Sequence, residues 1–331
     1  MPHGGDLAGA RALFPDAPEP FIDLSTGINP HPYPLPDLPE ALFTRLPDAA
    51  ALQRLAAAAA QAYRAPSADH VVCAGGTQIL LPLVARLVPP GRAIVLGPTY
   101  AEHARAATLA GHDTVEATLF LHLAQARLAV ITNPNNPDGR IVAKRDLLVL
   151  ADALRRRGGM LVVDEAFADV MPAEASLADA TSRPNLIVLR SFGKFFGLAG
   201  LRLGFALAAP DLAGRLQAEL GPWAVSGPAI QVGATALANE SWKAATRARL
   251  EQSAQRLDTL LARAGLAVVG GTSLYRLTQS VRATALFEQL GHAGILVRRF
   301  ASDDSWLRFG LPKDEPQWQR LTAALEAHRD R

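Results

Sequence analysis

Along most of its length the chain alternates helical stretches with short runs in which apolar residues are continuous. The runs lie at Val71–Ala74, 93–96, Leu128–Thr132, 160–163, 186–189 and 203–207. Continuous rather than alternating apolarity marks strands buried on both faces, as in a mostly parallel sheet covered by helices. The pattern therefore predicts a doubly wound α/β domain over residues 46–235. Residues 236–331 read as a smaller α+β domain. It opens with a long helix from Trp242 to about 264, has short strands at 267–269, 273–277 and 295–297, and closes with a helix from about Glu315. The first 45 residues are rich in Pro and Gly, notably Asn29-Pro30-His31-Pro32-Tyr33-Pro34-Leu35-Pro36. Such a segment sustains neither a continuous helix nor a central strand. It is read as an extended arm packing with the smaller domain.

In an open parallel sheet, ligands bind beyond the carboxyl ends of the strands. The residues that follow each apolar run there are Gly75-Gly76-Thr77-Gln78, Gly97-Pro98-Thr99-Tyr100, Asn133-Pro134-Asn135-Asn136-Pro137-Asp138-Gly139, Asp164-Glu165 and Arg190-Ser191-Phe192-Gly193-Lys194. Each alone is an ordinary cap or solvated residue; five chemically complementary ends on one sheet edge form a candidate site. A Gly-Gly-Thr turn opening a helix suits an anion, because glycine lets the backbone approach and the first-turn N–H groups face the ligand. The spacing of a dinucleotide fingerprint or a Walker loop is absent. Of the four lysines, Lys144, Lys243 and Lys313 have polar or charged neighbours, whereas Lys194 sits among Phe192, Phe195 and Phe196. An amine in apolar surroundings loses its proton more readily, and a neutral amine can form a Schiff base. A phosphate cradle, an aromatic ring (Tyr100), a carboxylate (Asp164) and a desolvated lysine together match the needs of pyridoxal 5'-phosphate.

Composition narrows the alternatives. A length of 331 residues fits two unequal domains, and 49% hydrophobic with 19% charged residues is ordinary globular composition. A formal charge of +2 gives no reason to expect nucleic acid or an anionic membrane surface. Arg155-Arg156-Arg157 reads as the solvated end of a helix, where cations complement the dipole. The single cysteine, Cys73, lies in an apolar run and reads as a small buried hydrophobe in a reducing compartment. The N-terminus lacks the pattern of a signal peptide, and no apolar run approaches the roughly 20 residues of a membrane span. A cytoplasmic, soluble protein with no metal site is expected.

Several motifs carry a resemblance. Ser191-Phe192-Gly193-Lys194, followed by Gly200-Leu201-Arg202-Leu203-Gly204, resembles the lysine signature of class I/II aminotransferases. Asn135-Asn136-Pro137-Asp138-Gly139 and Asp164-Glu165-Ala166-Phe167 resemble that family's Asn-Pro-x-Gly and Asp-x-x-Tyr motifs, in the same order. The resemblance implies the fold of pyridoxal-phosphate-dependent aminotransferases (fold type I) and a homodimer. It implies that Lys194 carries the cofactor and shuttles protons, and that Asp164 faces the pyridine nitrogen. Asn136 would bond the ring oxygen and Tyr100 would stack on the ring, while Gly76, Thr77, Ser191 and Arg202 hold the phosphate. Arg308, in Trp306-Leu307-Arg308-Phe309-Gly310, matches the arginine that grips a substrate carboxylate.

Two branches of the family are compatible with these motifs: histidinol-phosphate aminotransferases, and decarboxylases of L-threonine O-3-phosphate in cobalamin synthesis. His3-Gly4-Gly5 together with Ile22-Asp23-Leu24-Ser25-Thr26-Gly27-Ile28-Asn29-Pro30 is similar to the decarboxylase opening, and Phe167 replaces the tyrosine usual in the aminotransferases. The resemblance thus implies a phosphorylated amino acid as substrate, with His3, Asn29 and Arg298 contributing to its binding beside Arg308. Arg298 and Arg299 end an apolar run, and strand alternation puts them on opposite faces, so only one of them can face the substrate. Leu46 stands where relatives usually have a tyrosine that reaches a neighbouring subunit's cofactor phosphate. A transaminase of histidinol phosphate or a related substrate is the competing reading. A regulatory module that binds the cofactor without catalysis is disfavoured by the retention of Lys194, Asp164 and Arg308.

Overall fold

The computed structural model describes residues 4–329, so His3 lies outside the described residues. They form two compact units. The larger comprises Tyr33–Asn136 and Arg140–Trp242; the smaller comprises the chain up to Pro32, the segment Pro137–Gly139, and the chain from Lys243 onward. The sequence pattern places the boundaries at residues 45/46 and 235/236. In the structure residues 33–45 group with the larger unit, and the changeover falls inside a continuous helix, Glu240–Arg263. The strands in chain order are β1 (Ile22–Asp23) in the smaller unit, β2 (Val71–Ala74), β3 (Arg92–Leu96), β4 (Asp113–Ala117), β5 (Leu128–Thr132), β6 (Met160–Asp164), β7 (Leu186–Ser191) and β8 (Gly204–Ala208) in the larger, then β9 (Ala267–Thr272), β10 (Tyr275–Gln279), β11 (Ile295–Leu296), β12 (Arg298–Phe300) and β13 (Asp303–Gly310) in the smaller.

The larger unit is built on a 7-stranded sheet of order β2-β8-β7-β6-β5-β3-β4. Strands β3 to β7 are mutually parallel, and β8 runs antiparallel between β2 and β7. The runs found in the sequence are β2, β3, β5, β6, β7 and β8, and all of these but β3 are buried at every position. β4 carries no such run because, unlike β2 at the other end of the sheet, it has no buried position, so its sequence, Asp113-Thr114-Val115-Glu116-Ala117, stays half polar. Helices Thr77–Ala85 and Pro210–Leu220 bury Leu80, Leu81, Val84, Leu212 and Leu216 against Val72, Val95, Val130, Val162 and Ile187. Cys73 belongs to this interior, and burial pushes its thiol up to about 12, which suits a packing role. The arginines at 155–157 are exposed at the end of helix Lys144–Arg156, as its amphipathic pattern requires. No helix among the described residues is long and apolar enough to cross a membrane.

In the smaller unit β12, β13, β10 and β9 form an antiparallel sheet, and β1 pairs in parallel with β11. The segment after β1 continues along the unit: Leu24 N–H donates to Leu296 (2.8 Å) and Gly310 N–H donates to Leu24 (2.7 Å). The arm is not extended throughout. Leu7–Leu13 is a helix, begun by Asp6, whose carboxylate accepts from Gly9 N–H at 2.8 Å. The Pro-rich block that argued for extension begins only at Asn29. Pro137–Gly139 groups with this unit through Gly271 N–H donating to Asp138 (2.9 Å). Gly139 has φ +70, and a Cβ there or at Gly270 would collide with the facing backbone.

One buried charge cluster orders the centre of the large sheet. Arg190, on β7, donates to Glu165 Oε2 at 2.9 Å and to Asp169 Oδ1 at 2.7 Å, with all three side chains 6% exposed or less. Its guanidinium also lies 4.3 Å from the centroid of the Tyr63 ring. Burial opposes the Arg190 charge, but Asp169 and Glu165 outweigh it and raise its pKa. Glu165 is further held by the Ser176 hydroxyl at 2.5 Å and by Leu177 N–H at 2.8 Å. Breaking one partner of such a cluster leaves buried charge uncompensated. Arg190→Met is expected to lower stability by about 3–5 kcal/mol, read as a shifted denaturant midpoint. Adding Glu165→Gln and Asp169→Asn should recover part of that loss.

Candidate active site

Because β2, β3, β5, β6 and β7 run in the same direction, the loops after them emerge on one edge of the sheet. At the β2 end, Gly76 adopts φ +96 and begins helix Thr77–Ala85, which has no acidic residue in its first turn. A Cβ on Gly76 would lie 2.6 Å from Arg202 Nη2, so the guanidinium lies directly against the bare backbone of the turn. A Cβ on Gly204 would lie 2.5 Å from Thr77 N, so β8 also presses on this turn through a glycine. Arg202 has φ +54, a left-handed conformation unusual for a non-glycine residue, and donates from Nη1 to the Ala199 carbonyl at 3.0 Å. Ser191 ends β7 in register with Gly204. Gly76, Thr77, Ser191 and Arg202 are thus brought to one place. Exposed first-turn N–H groups, a hydroxyl residue and a guanidinium fit a phosphate.

Asp164 ends β6 and is 6% exposed. Its Oδ1 accepts from Ala166 N–H at 3.0 Å, and its Oδ2 lies 2.8 Å from His103 Nε2, itself buried on helix Glu102–Leu109. Tyr100, after β3, packs edge-on to His103 with ring centroids 5.9 Å apart and 87° between planes. A held carboxylate beside an oriented aromatic ring suits a cationic heterocycle. In the loop after β5, Asn133 and Asn135 act structurally. The Asn133 side chain exchanges two hydrogen bonds with Val142, and the Asn135 amide donates to Pro98 at 3.0 Å. Asn136, the third of the set, is only half-buried.

Lys194 follows β7 on a single turn, Phe192–Phe195, and is half-buried. Its Nζ lies 5.9 Å from the centroid of the Phe167 ring. Phe192 stacks on Phe196 at 4.3 Å, Phe196 stacks on Trp242 at 5.5 Å, and Phe195 meets Trp242 edge-on at 5.7 Å. The turn is tight because a Cβ at Gly193 would lie 2.7 Å from the Ala199 Cα. These aromatic contacts fix the turn that carries the amine. The residues present therefore fit pyridoxal phosphate: a glycine cradle with an arginine, a held carboxylate, an aromatic ring and an amine on a rigid turn.

Arg308, Arg298 and Asn29 belong to the smaller unit. Arg308 on β13 is 6% exposed, donates from Nη2 to the Ser25 carbonyl at 2.7 Å, and lies 5.0 Å from the Tyr275 ring centroid. Burial pulls it down to about 10; Tyr275 opposes this, Arg298 adds to it and Asp23 opposes it, so the group stays charged at neutral pH. Arg298 on β12 is the cross-strand partner of Arg308. Arg299 takes the other face, 5.0 Å from the Phe287 ring, as alternation required. Asn29 is buried, and its Oδ1 accepts from His31 N–H at 2.9 Å.

The sequence does not point to the roles of two members of the larger unit's constellation. His103 fixes Asp164, and Gln78 accepts a hydrogen bond from the Tyr100 hydroxyl at 3.0 Å. The signal for His103 was a histidine on the alanine-lined face of its helix, one turn after Tyr100. Conversely, Glu165 and Arg190, adjacent to Asp164 and Ser191, point away into the buried cluster.

This is the large unit of a pyridoxal-phosphate type of enzyme, and comparison with known proteins agrees. The chain belongs to the aminotransferase class I and II family, whose profile matches residues 22–325. It is 44% identical over 328 residues to a threonine-phosphate decarboxylase of Pseudomonas aeruginosa, covering 98% of this chain and 97% of that protein. A threonine-phosphate decarboxylase of a Sinorhizobium species is likewise 44% identical, over 326 residues and 98% and 97% of the two chains. Among solved structures, the histidinol-phosphate aminotransferase of Sinorhizobium meliloti in complex with pyridoxal-5'-phosphate superposes with a TM-score of 0.82 at 21% identity, covering 98% of this chain and 97% of that one. That likeness concerns the fold.

A side chain on Gly76 must either strain the φ +96 backbone or displace Arg202 from the turn. Gly76→Ala is expected to weaken binding of pyridoxal phosphate to the apoprotein by about tenfold or more, from roughly 1–3 kcal/mol of strain. Gly214→Ala, where nothing lies within 4 Å of the added methyl, should leave that affinity unchanged. Fluorescence titration of both apoproteins with the cofactor distinguishes them.

Proposed function

We propose that this chain is a pyridoxal-phosphate-dependent decarboxylase of L-threonine O-3-phosphate, yielding carbon dioxide and (R)-1-amino-2-propanol O-2-phosphate for cobalamin synthesis. The observation that carries the reading is the pair Arg308 and Arg298, facing each other across neighbouring strands of the smaller unit. Two adjacent guanidinium groups suit a substrate with two acidic groups, a carboxylate and a phosphate, better than one with a phosphate alone. The decarboxylase relatives at 44% identity support the same choice.

When bound, pyridoxal phosphate would supply the electron sink for a bond broken at the substrate's Cα. The remaining work falls to this chain. Gly76, Thr77, Ser191 and Arg202 hold the cofactor phosphate. Asp164, kept in place by His103, keeps the pyridine nitrogen protonated; Asn136 bonds the ring oxygen and Tyr100 covers the ring. Lys194 would hold the cofactor through Nζ and, as a free amine, would move the proton at the substrate's Cα. Arg308 orients the carboxylate, Arg298 the phosphate, and Asn29 contributes to the substrate's surroundings; His3, assigned to the same role from the sequence, lies outside the described residues. Phe167 supplies no phenol to the ring oxygen, so that role rests on Asn136. The enzyme acts as a cytoplasmic homodimer, a reading supported by exposed apolar side chains at Phe43, Leu46 and Trp223, which are 59–67% exposed.

The test is incubation with L-threonine O-3-phosphate in the absence of any keto acid. Carbon dioxide and the amino alcohol phosphate are the expected products, identified by mass. Turnover of histidinol phosphate that requires 2-oxoglutarate, with none of threonine phosphate, would move the chain to the aminotransferase branch. Borohydride reduction should fix the cofactor on Lys194 and on no other lysine.

Arg298 provides a finer check. A charged hydrogen bond to phosphate contributes roughly 1.5–3 kcal/mol, which is about 10- to 150-fold. Arg298→Ala is expected to lower kcat/KM for threonine phosphate by about that factor, whereas Arg299→Ala, which faces Phe287, should change it little. Cofactor affinity should stay the same in both.

A further inference from the structure

Helix Thr77–Ala85 and helix Glu102–Leu109 are joined at their first turns by a chain of polar contacts. The Tyr100 hydroxyl donates to Gln78 Oε1 at 3.0 Å. Gln78 Nε2 donates to Glu102 Oε2 at 2.7 Å, and the same oxygen accepts from Arg105 Nη1 at 3.1 Å. The order of donors is forced. A carboxylate only accepts, so the NH₂ end of Gln78 must face Glu102 and the carbonyl end must face the phenol. The phenol is therefore a donor here, and its ring is held at two points: at its hydroxyl by Gln78 and at its flank by the edge-on contact with His103. Gln78 is adjacent to Thr77 of the phosphate turn, and His103 holds Asp164, so the joined first turns of the two helices tie three parts of the site together.

We infer that Gln78 is a positioning residue that sets the plane of Tyr100 over the cofactor ring, polarised for that task by Glu102. The inference rests on the reading that Tyr100 stacks on the cofactor. Gln78 itself touches no reacting atom; it acts by removing rotational freedom from the stacking ring before the cofactor arrives, so that less ordering remains to be done on binding.

The affinity of the apoprotein for pyridoxal phosphate and the induced circular dichroism of the bound cofactor test this without reference to turnover. Gln78→Leu should weaken the affinity by about three- to tenfold, the range of one partly exposed hydrogen bond, and should reduce the dichroic band. Tyr100→Phe keeps the ring and loses the same bond, so it should have a similar effect. The double variant should be no worse than either single one, because both remove one interaction. Gln78→Glu sets two carboxylates against each other and should be at least as damaging as Gln78→Leu. Adding Glu102→Gln to Gln78→Glu exchanges donor and acceptor across the same contact and should restore both affinity and dichroism. Additive losses in the Gln78→Leu/Tyr100→Phe double variant, or no rescue in the exchanged pair, would overturn the inference while the stacking role of Tyr100 stood. If Tyr100→Ala leaves cofactor affinity unchanged, stacking itself fails and the inference falls with it.

Discussion

The buried guanidinium of Arg190 is the constraint on which the site depends. It is clamped between Glu165 and Asp169, and its strand neighbour is Ser191. Residues adjacent along extended backbone point to opposite sides. Fixing Arg190 and Glu165 on the inner side therefore leaves Ser191 and Asp164 on the other, where the candidate site lies. Exposed ion pairs elsewhere, such as Arg11 with Glu19 or Arg256 with Glu315, constrain nothing comparable, because water competes for every partner. Inside the sheet no water competes, and a slip of β6 by one residue would turn Asp164 to the face of the charge cluster and Glu165 to the face of the site.

From that fixed pair the rest follows by register. β8 must pair with β7 at Ser191–Gly204, and only glycine at 204 lets the β2 turn come close enough for its N–H groups to share a space with Arg202. The helix after β3 then reaches over to support Asp164 through His103. Asp164 is doubly held, by a backbone N–H and by an imidazole, so its orientation is set before any ligand binds. Such preorganisation matters because a carboxylate left to rotate would face the ring nitrogen only part of the time.

The sequence made the sheet's central strands legible because burial on both faces leaves an unbroken apolar run, and it made the site legible because strand ends in such a sheet share an edge. What it concealed has equally physical causes. β4 has no buried position, with Asp113 and Glu116 exposed, so it carries no run at all. The helix Leu7–Leu13 hid in a segment judged by the prolines of its far end, although Asp6 three residues before Gly9 is a cap that could have been read locally. Asp164-Glu165 looked like one acidic pair, yet the two carboxylates perform unrelated tasks. His103 and Gln78 were overlooked because each works through another side chain. Only a neighbour in space, 61 residues away for His103 and 22 for Gln78, reveals that.

The smaller unit poses an opposite problem: it holds charge at a loss. Burial depresses Arg308 from the ordinary arginine value to about 10, and the facing Arg298 adds to the effect. For a base, a lowered folded-state pKa means that the charged form is less favourable folded than unfolded. That cost persists at every pH below about 10 and disappears only as the pH rises through that value into the ordinary arginine range. At neutral pH the unliganded protein therefore bears it in full. Tyr275 and Asp23 offset part of it, and the carbonyl of Ser25 accepts one of the guanidinium's hydrogen bonds. A ligand bringing negative charge to this strand pair would relieve what remains, and the relief would appear as binding energy selective for acidic groups. A neutral analogue of the same shape would gain none of it. In the proposed reading the destabilisation and the specificity are two aspects of one arrangement, and replacing either arginine with an apolar residue to stabilise the fold would remove the selectivity with it.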